Sequence, residues 1–287
     1  MTTWRIPVTI DVRPWFGDHC FDGKVVLPAV ETMALLATEV AGNHPEIDGR
    51  VMNNVRFTRF LEIPEGSRSV AALVECSQHE NGSIHAKLFS RRPCKVMTRL
   101  QEHGEILFSP VGENHPLVSE FDHERMTAPV MIIQAEQVYR ELVPFGPGYH
   151  TLQGALHLGD KVAWGRLKAP VVAISDRVRD LVGSPFPLDG ALHAACVLGQ
   201  RTVDFVPFPV GFDRRIIIRP TLPGGSYRTR VELLFQTRDE LLFDLSIFDE
   251  LGLVYEQVTG LRMRDVSGGK IKPPEWMHEN NEDVAKE

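Results

Sequence analysis

Two segments of this chain are apolar around nearly a whole helical surface, and each is followed by strand-like runs in the same order. The first is Met33 to Ala41 (MALLATEVA), preceded by Pro28-Ala29-Val30 and stopped by Gly42-Asn43; the second is Pro187 to Gln200 (PLDGALHAACVLGQ). A helix that is apolar all round has to be buried. After the first come Val51 to Ile63, Arg68 to Cys76, Ile84 to Ser90 and Val96 to Phe108, rich in β-branched and aromatic residues and punctuated by Pro64-Glu65-Gly66 and Asn81-Gly82. After the second come Arg214 to Arg219, Tyr227 to Thr237, Leu241 to Asp249 and Leu253 to Arg264. The chain reads as a duplication, and Arg56-Phe57 leading to Pro64 resembles Arg214-Arg215 leading to Pro223.

A long apolar helix wrapped by a curved antiparallel sheet is the hotdog arrangement, in which strand pairing satisfies the backbone while the sheet covers the helix. The expected fold class is therefore α+β: a double hotdog, two antiparallel sheets each wrapping a long central helix. The N-terminal hotdog is expected over 1–109 and the C-terminal one over 130–266. A linker over 110–129 is marked by Gly112, Asn114 and Pro116. Residues 267–287 carry glycine, proline and charge with little to bury and are expected to form a flexible tail.

With 43% hydrophobic and 24% charged residues in 287, the chain has enough apolar material for one large domain or two small ones. Its formal charge of −7 argues against nucleic acid as a partner, because nonspecific affinity for phosphates needs clustered Lys and Arg. Cys20, Cys76, Cys94 and Cys196 form no C-x-x-C pair, so reduced thiols in a cytoplasmic protein fit better than a zinc knuckle or a disulfide framework. Residues Met1 to Trp15 alternate polar and apolar and do not read as a signal peptide. No run reaches membrane-spanning length. His44, His79, His85, His103, His115, His123, His150 and His157 lack paired metal-ligand spacing, so no metal is expected.

His19 lies in a turn rich in Asp and Gly that leads to the first helix, within Asp18-His19-Cys20-Phe21-Asp22-Gly23. A base fits there, since Gly23 lets the backbone approach a ligand and free N–H groups near a helix start stabilise an oxyanion. By itself His19 reads more readily as a satisfied turn residue than as a base, and Asp189 more readily as a first-turn acid favoured by the macrodipole. His193 follows Asp189 by four residues, on the same helical face, where it can orient the carboxyl or a departing water.

Three motifs narrow the reading. His19-x-x-x-Gly23-x-x-x-x-Pro28 resembles the H-x-x-x-G-x-x-x-x-P signature of polyketide-synthase dehydratase domains, with Trp15 to Ala37 similar to their helix entry. Phe145-Gly146-Pro147-Gly148-Tyr149 resembles the family's Y-G-P-x-F segment, and Ser184-Pro185 through Asp189 to His193 resembles H-P-x-x-x-D-x-x-x-Q/H. The resemblance runs from Trp4 to Val266. It implies a hydro-lyase that takes water from a β-hydroxyacyl thioester in polyketide or related lipid biosynthesis. His19 and Asp189, one from each half, would be catalytic; Gly23, Leu27, Pro28, Phe145, Gly146, Pro147, Tyr149 and His193 would contact substrate. It further implies a substrate carried on the phosphopantetheine of an acyl carrier protein, no metal or redox cofactor, and a homodimer. Met1 and the lack of other synthase domains suggest a discrete enzyme acting in trans. Arg214 and Arg215 are expected in a basic patch for the acidic carrier. The family's usual histidine before Pro185 is Ser184 here, and its usual tyrosine before Gly146 is Phe145. The alternatives are another hotdog acyl-thioester enzyme, such as a thioesterase, isomerase or cyclase, and a noncatalytic acyl-binding protein.

Overall fold

The computed structural model describes residues 2–93, 98–112 and 129–278. The first half runs β1 (Thr2–Asp11), a 3-10 turn (Pro14–Asp18), a small hairpin of β2 (Cys20–Phe21) and β3 (Lys24–Val25), α1 (Ala29–Asn43), β4 (Ile47–Phe57), β5 (Ser69–Gln78), β6 (Ile84–Pro93) and β7 (Thr98–Pro110). The second half opens with β8 (Met131–Gln134), α2 (Ala135–Gln137), a π-helical turn (Val138–Leu142), a 3-10 turn (Pro147–Tyr149), β9 (Leu152–Leu158) and β10 (Val162–Lys168). It continues through α3 (Asp176–Leu181), α4 (Phe186–Gln200), β11 (Phe208–Ile217), β12 (Ser226–Gln236), β13 (Glu240–Phe248) and β14 (Val254–Arg264).

The strand order is β1-β5-β6-β7-β4-β11-β14-β13-β12-β10-β9-β8, every pair antiparallel. The duplication shows as topology: β5-β6-β7-β4 in one lobe matches β12-β13-β14-β11 in the other. A strand that precedes the helix closes the outer side of each set, β1 on β5 and β10 on β12. Each lobe packs its sheet on its own helix, and every residue of α4 is buried, as its lack of a polar face requires. The fold is the double hotdog expected, with one difference in the sheets. The two expected sheets are one, because β4 and β11 hydrogen-bond across the lobe boundary, pairing Met52 with Arg215 and Val55 with Phe212. The backbones approach so closely that a Cβ at position 211 would collide with the Val55 carbonyl, hence Gly211.

That seam buries charge. Arg215 gives two hydrogen bonds to Glu256, at 2.9 and 2.7 Å, and its Nη1 lies 4.0 and 3.9 Å from the sulfurs of Met33 and Met52. Arg215 is 2% and Glu256 0% exposed. Arg215 therefore belongs to the core and not to a surface patch, which corrects that expectation; Arg214 bonds Asn53 across the same seam at 2.9 Å.

Residues 113–128 of the expected linker lie outside the described residues, as do Cys94, His115 and His123. The expected tail departs from its reading over Ile271–His278. A 3-10 turn (Glu275–His278) buries Met277 completely and packs Trp276 on the core. Val206 N–H donates to the Ile271 carbonyl at 3.2 Å. Two large apolar side chains in EWMH outweigh the polar residues around them. No helix among the described residues is long and apolar enough to cross a membrane.

Candidate active site

The His19 backbone is held on both sides. Its N–H donates to Phe16 O and its carbonyl accepts from Val26 N, both at 3.0 Å. The segment from Val25 to Leu27 is in turn pinned to Leu61 and Ile63 by two hydrogen bonds of 2.9 Å. The ring Nδ1 lies 3.1 Å from the Val26 carbonyl, which can only accept, so Nδ1 carries the hydrogen and Nε2 keeps its lone pair. Burial pushes the imidazole below the usual histidine range, against a smaller upward pull from Asp189 and with His193 adding to the fall. The ring is thus kept neutral with one free basic nitrogen.

Gly23 stands at the exposed tip of the β2–β3 hairpin with φ +73°, next to Asp22 at φ +50°. Two successive positive φ values make the tight hairpin turn that glycine permits. Turn geometry is by itself enough to account for this glycine. Leu27 and Pro28 are buried, and Pro28 caps the start of α1.

From the second lobe, the loop Phe145-Gly146-Pro147-Gly148-Tyr149 docks beside His19. Asp18 holds it: Gly146 N–H donates to the Asp18 carbonyl and Gly148 N–H to Asp18 Oδ2, both at 2.8 Å. A Cβ on Gly146 would collide with the Asp18 carboxylate, and one on Gly148 would lie 2.8 Å from Oδ2, so both glycines are needed for this grip. The docked loop stacks Phe145 on His19, ring centroids 4.3 Å apart and planes 19° off parallel, and sets Tyr149 edge-on at 5.2 Å. Phe145 also lies 5.3 Å from the His193 ring, so one phenyl touches histidines of both lobes.

Asp189 sits in the first turn of α4 and is 4% exposed. Gly190 beside it lets the helix close on Thr151, whose hydroxyl a Cβ would strike. His193 Nε2 is 3.0 Å from Asp189 Oδ2, but not aligned for a hydrogen bond. Tyr139 orients this histidine: its hydroxyl accepts from Leu152 N at 2.8 Å and shares a hydrogen bond with His193 Nδ1 at 3.4 Å, which turns Nε2 toward the Asp189 carboxyl group. Asp189 Oδ2, His193 Nε2, Tyr149 Oη and Ser184 Oγ are buried without a hydrogen-bond partner among the described residues. Three of these atoms, on Asp189, His193 and Tyr149, gather beside His19 and mark a place built to be completed by a polar ligand.

The structure thus brings together His19, Phe145, Tyr149, Asp189 and His193. Sequence reasoning passed over Asp18 and Tyr139. Asp18 was legible only in retrospect, as an acid beside His19 facing a distant G-P-G; nothing local marked Tyr139.

Two family models match. The one described as polyketide synthase dehydratase domain matches residues 2–91, and the one described as polyketide synthase dehydratase N-terminal domain matches residues 123–271. The polyketide synthase ThaG of Burkholderia thailandensis is 26% identical over 223 residues, covering 71% of this chain; the chain spans 4% of that protein. Among solved structures, a trans-AT dehydratase domain from Brevibacillus brevis superposes with TM-score 0.73 at 17% identity, covering 91% of this chain and 93% of the other. The dehydratase domain from the CurK module of curacin polyketide synthase superposes with TM-score 0.72 at 20% identity, covering 93% and 94%. These structures share the fold.

Proposed function

The chain belongs to the polyketide synthase dehydratase family, hydro-lyases that dehydrate a β-hydroxyacyl intermediate, and on that premise we propose that His19 is its base and Asp189 its acid. His19 Nε2 takes the proton from the carbon next to the thioester carbonyl, and Asp189 gives a proton to the β-hydroxyl, which leaves as water. The double bond forms between the two carbons. The two tasks need groups of different proton affinity. The observation that carries this reading is the His19 imidazole itself: Nδ1–H tied to Val26, Nε2 free, and burial holding it neutral beside Asp189. His193, turned by Tyr139, faces the acid and fits the departing water.

In this reading Leu27, Pro28, Phe145, Gly146, Pro147 and Tyr149 line the substrate's path. The acyl chain arrives on the phosphopantetheine of an acyl carrier protein, and no metal or redox cofactor enters the reaction. The protein works in the cytoplasm as a homodimer paired along a free sheet edge, β1 or β8, which light scattering reads directly. The test is mass spectrometry of a panel of β-hydroxyacyl thioesters. The expected product has lost water, and His19→Ala and Asp189→Asn each lower turnover by roughly a hundredfold or more. Hydrolysis of the thioester would point to a thioesterase on the same fold. Unchanged substrate would point to an acyl-binding protein.

A further inference from the structure

Glu31 stands in the first turn of α1, only partly exposed, and has no task in the dehydration outlined above. Its Oε1 accepts a hydrogen bond from Trp15 Nε1 at 3.3 Å. Trp15 belongs to the 3-10 turn that ends one residue before His19. Its ring meets Phe186, the first residue of α4, edge-on at 5.9 Å. Phe186 contacts Tyr149 at 5.5 Å, and Tyr149 contacts His19 at 5.2 Å. Glu31 thus anchors a run of rings that leaves the first lobe, crosses to the second and returns to the proposed base. The charged and titratable groups facing it are Arg13 from the segment before the turn, Asp189 from α4 and the Tyr149 hydroxyl from the turn Pro147–Tyr149.

We propose that Glu31 is a positioning residue for His19, acting through Trp15: as a carboxylate it grips the indole N–H and fixes the turn that carries the imidazole, and on protonation the grip slackens. The inference deepens the assignment of His19 as base and rests on it. An N–H bond to a carboxylate is roughly twice as strong as one to a neutral acceptor. On an exposed glutamate the distinction has no consequence, because the group is ionised throughout the neutral range. Glu31 is different. Burial pushes it up to about 7, opposed by the Trp15 bond and Arg13 and reinforced by repulsion from Asp189. The bond therefore changes strength around neutral pH. A carboxyl held where its charge is disfavoured weakens the fold, and such groups concentrate where chemistry is done.

The test reads the indole N–H signals of the full chain, labelled with 15N, against pH. There are four tryptophans, and Trp15→Phe identifies the relevant signal. The Trp15 signal should move with a midpoint near pH 7 and lose that movement in Glu31→Gln, whose amide accepts the bond without ionising. In dehydration assays the ratio of parent to Glu31→Gln kcat/KM should grow by about fivefold between roughly pH 6 and pH 8, the gap between a charged and a neutral hydrogen bond. In a Trp15→Phe background Glu31→Gln should no longer change the pH dependence of kcat/KM, since the charge of Glu31 acts through that one contact. A Trp15 signal that stays still, or moves identically in Glu31→Gln, overturns the proposal, and so does a ratio independent of pH. His19→Ala separates the two readings. It should abolish dehydration and leave the Trp15 titration standing, whereas loss of the titration in that variant would assign it to His19 and overturn the role of Glu31.

Discussion

The Phe145 ring covers one face of the His19 imidazole, and the consequence is electrostatic as much as steric. Removing water from around the ring disfavours its charged form, the leading cause of its lowered proton affinity. In its proposed role as base His19 works only when neutral, so this shielding would extend activity toward acid pH. Phe145→Ala should admit water and let the imidazole return toward its ordinary range near 6.5. The acid limb of the rate profile then moves up in pH, with up to about tenfold loss below neutrality for each unit regained. The measurement is kcat/KM against pH for parent and variant; superimposable acid limbs would mean that the shielding comes from elsewhere. The ring also contributes roughly 0.5–1.5 kcal/mol of stacking, so some loss of stability should accompany the shift.

Among the elements, β11 and its neighbour β14 stand out, since each places a charged side chain in the core, Arg215 on one and Glu256 on the other. Arg215 and Glu256 are both desolvated, and burial raises the glutamate's proton affinity against the pull of the arginine. Removing one partner leaves a lone buried charge, so Arg215→Met should destabilise by about 3–5 kcal/mol, whereas Arg215→Met with Glu256→Met should recover most of that. Denaturant melts of the two single variants and the double variant check it; additive losses would mean that the pair is not coupled. The same elements explain what could be read from sequence. The helices and most of the long strands were legible because their apolar residues keep one period, and the repeat of helix and strands fixed the double fold. β1 was not legible, since an edge strand alternates half-exposed residues and lacks a core signature. β9 and β10 were missed because Gly154 and Gly165 interrupt short runs, with a bulge between Trp164 and Arg166. At the site, motif spacing pointed to His19, Asp189 and His193. Asp18, Tyr139 and Glu31 act through contacts that no local pattern encodes, such as the grip of Asp18 on Gly148, 130 positions away.

The molecule as a whole divides its chemistry between the lobes, with the proposed base before α1 and the proposed acid in α4. What joins their sheets is the β4–β11 pairing, where Asn53 and Arg214 meet across 161 positions of chain. Contacts this distant in sequence are the slowest to form, because the intervening chain must give up its freedom before the contact stabilises anything. Each lobe can build much of its sheet from hairpins, β5-β6-β7 and β12-β13-β14, on a shorter timescale. During refolding from denaturant, the far-ultraviolet signal of the strands should therefore return first and dehydration only with the last kinetic phase. If activity returned together with the strands, the seam would not be the late step. For a chain whose proposed acid and base sit in different lobes, the clock of folding is then also the clock of catalysis: until the two halves are stitched together, the molecule is expected to be well ordered and chemically silent.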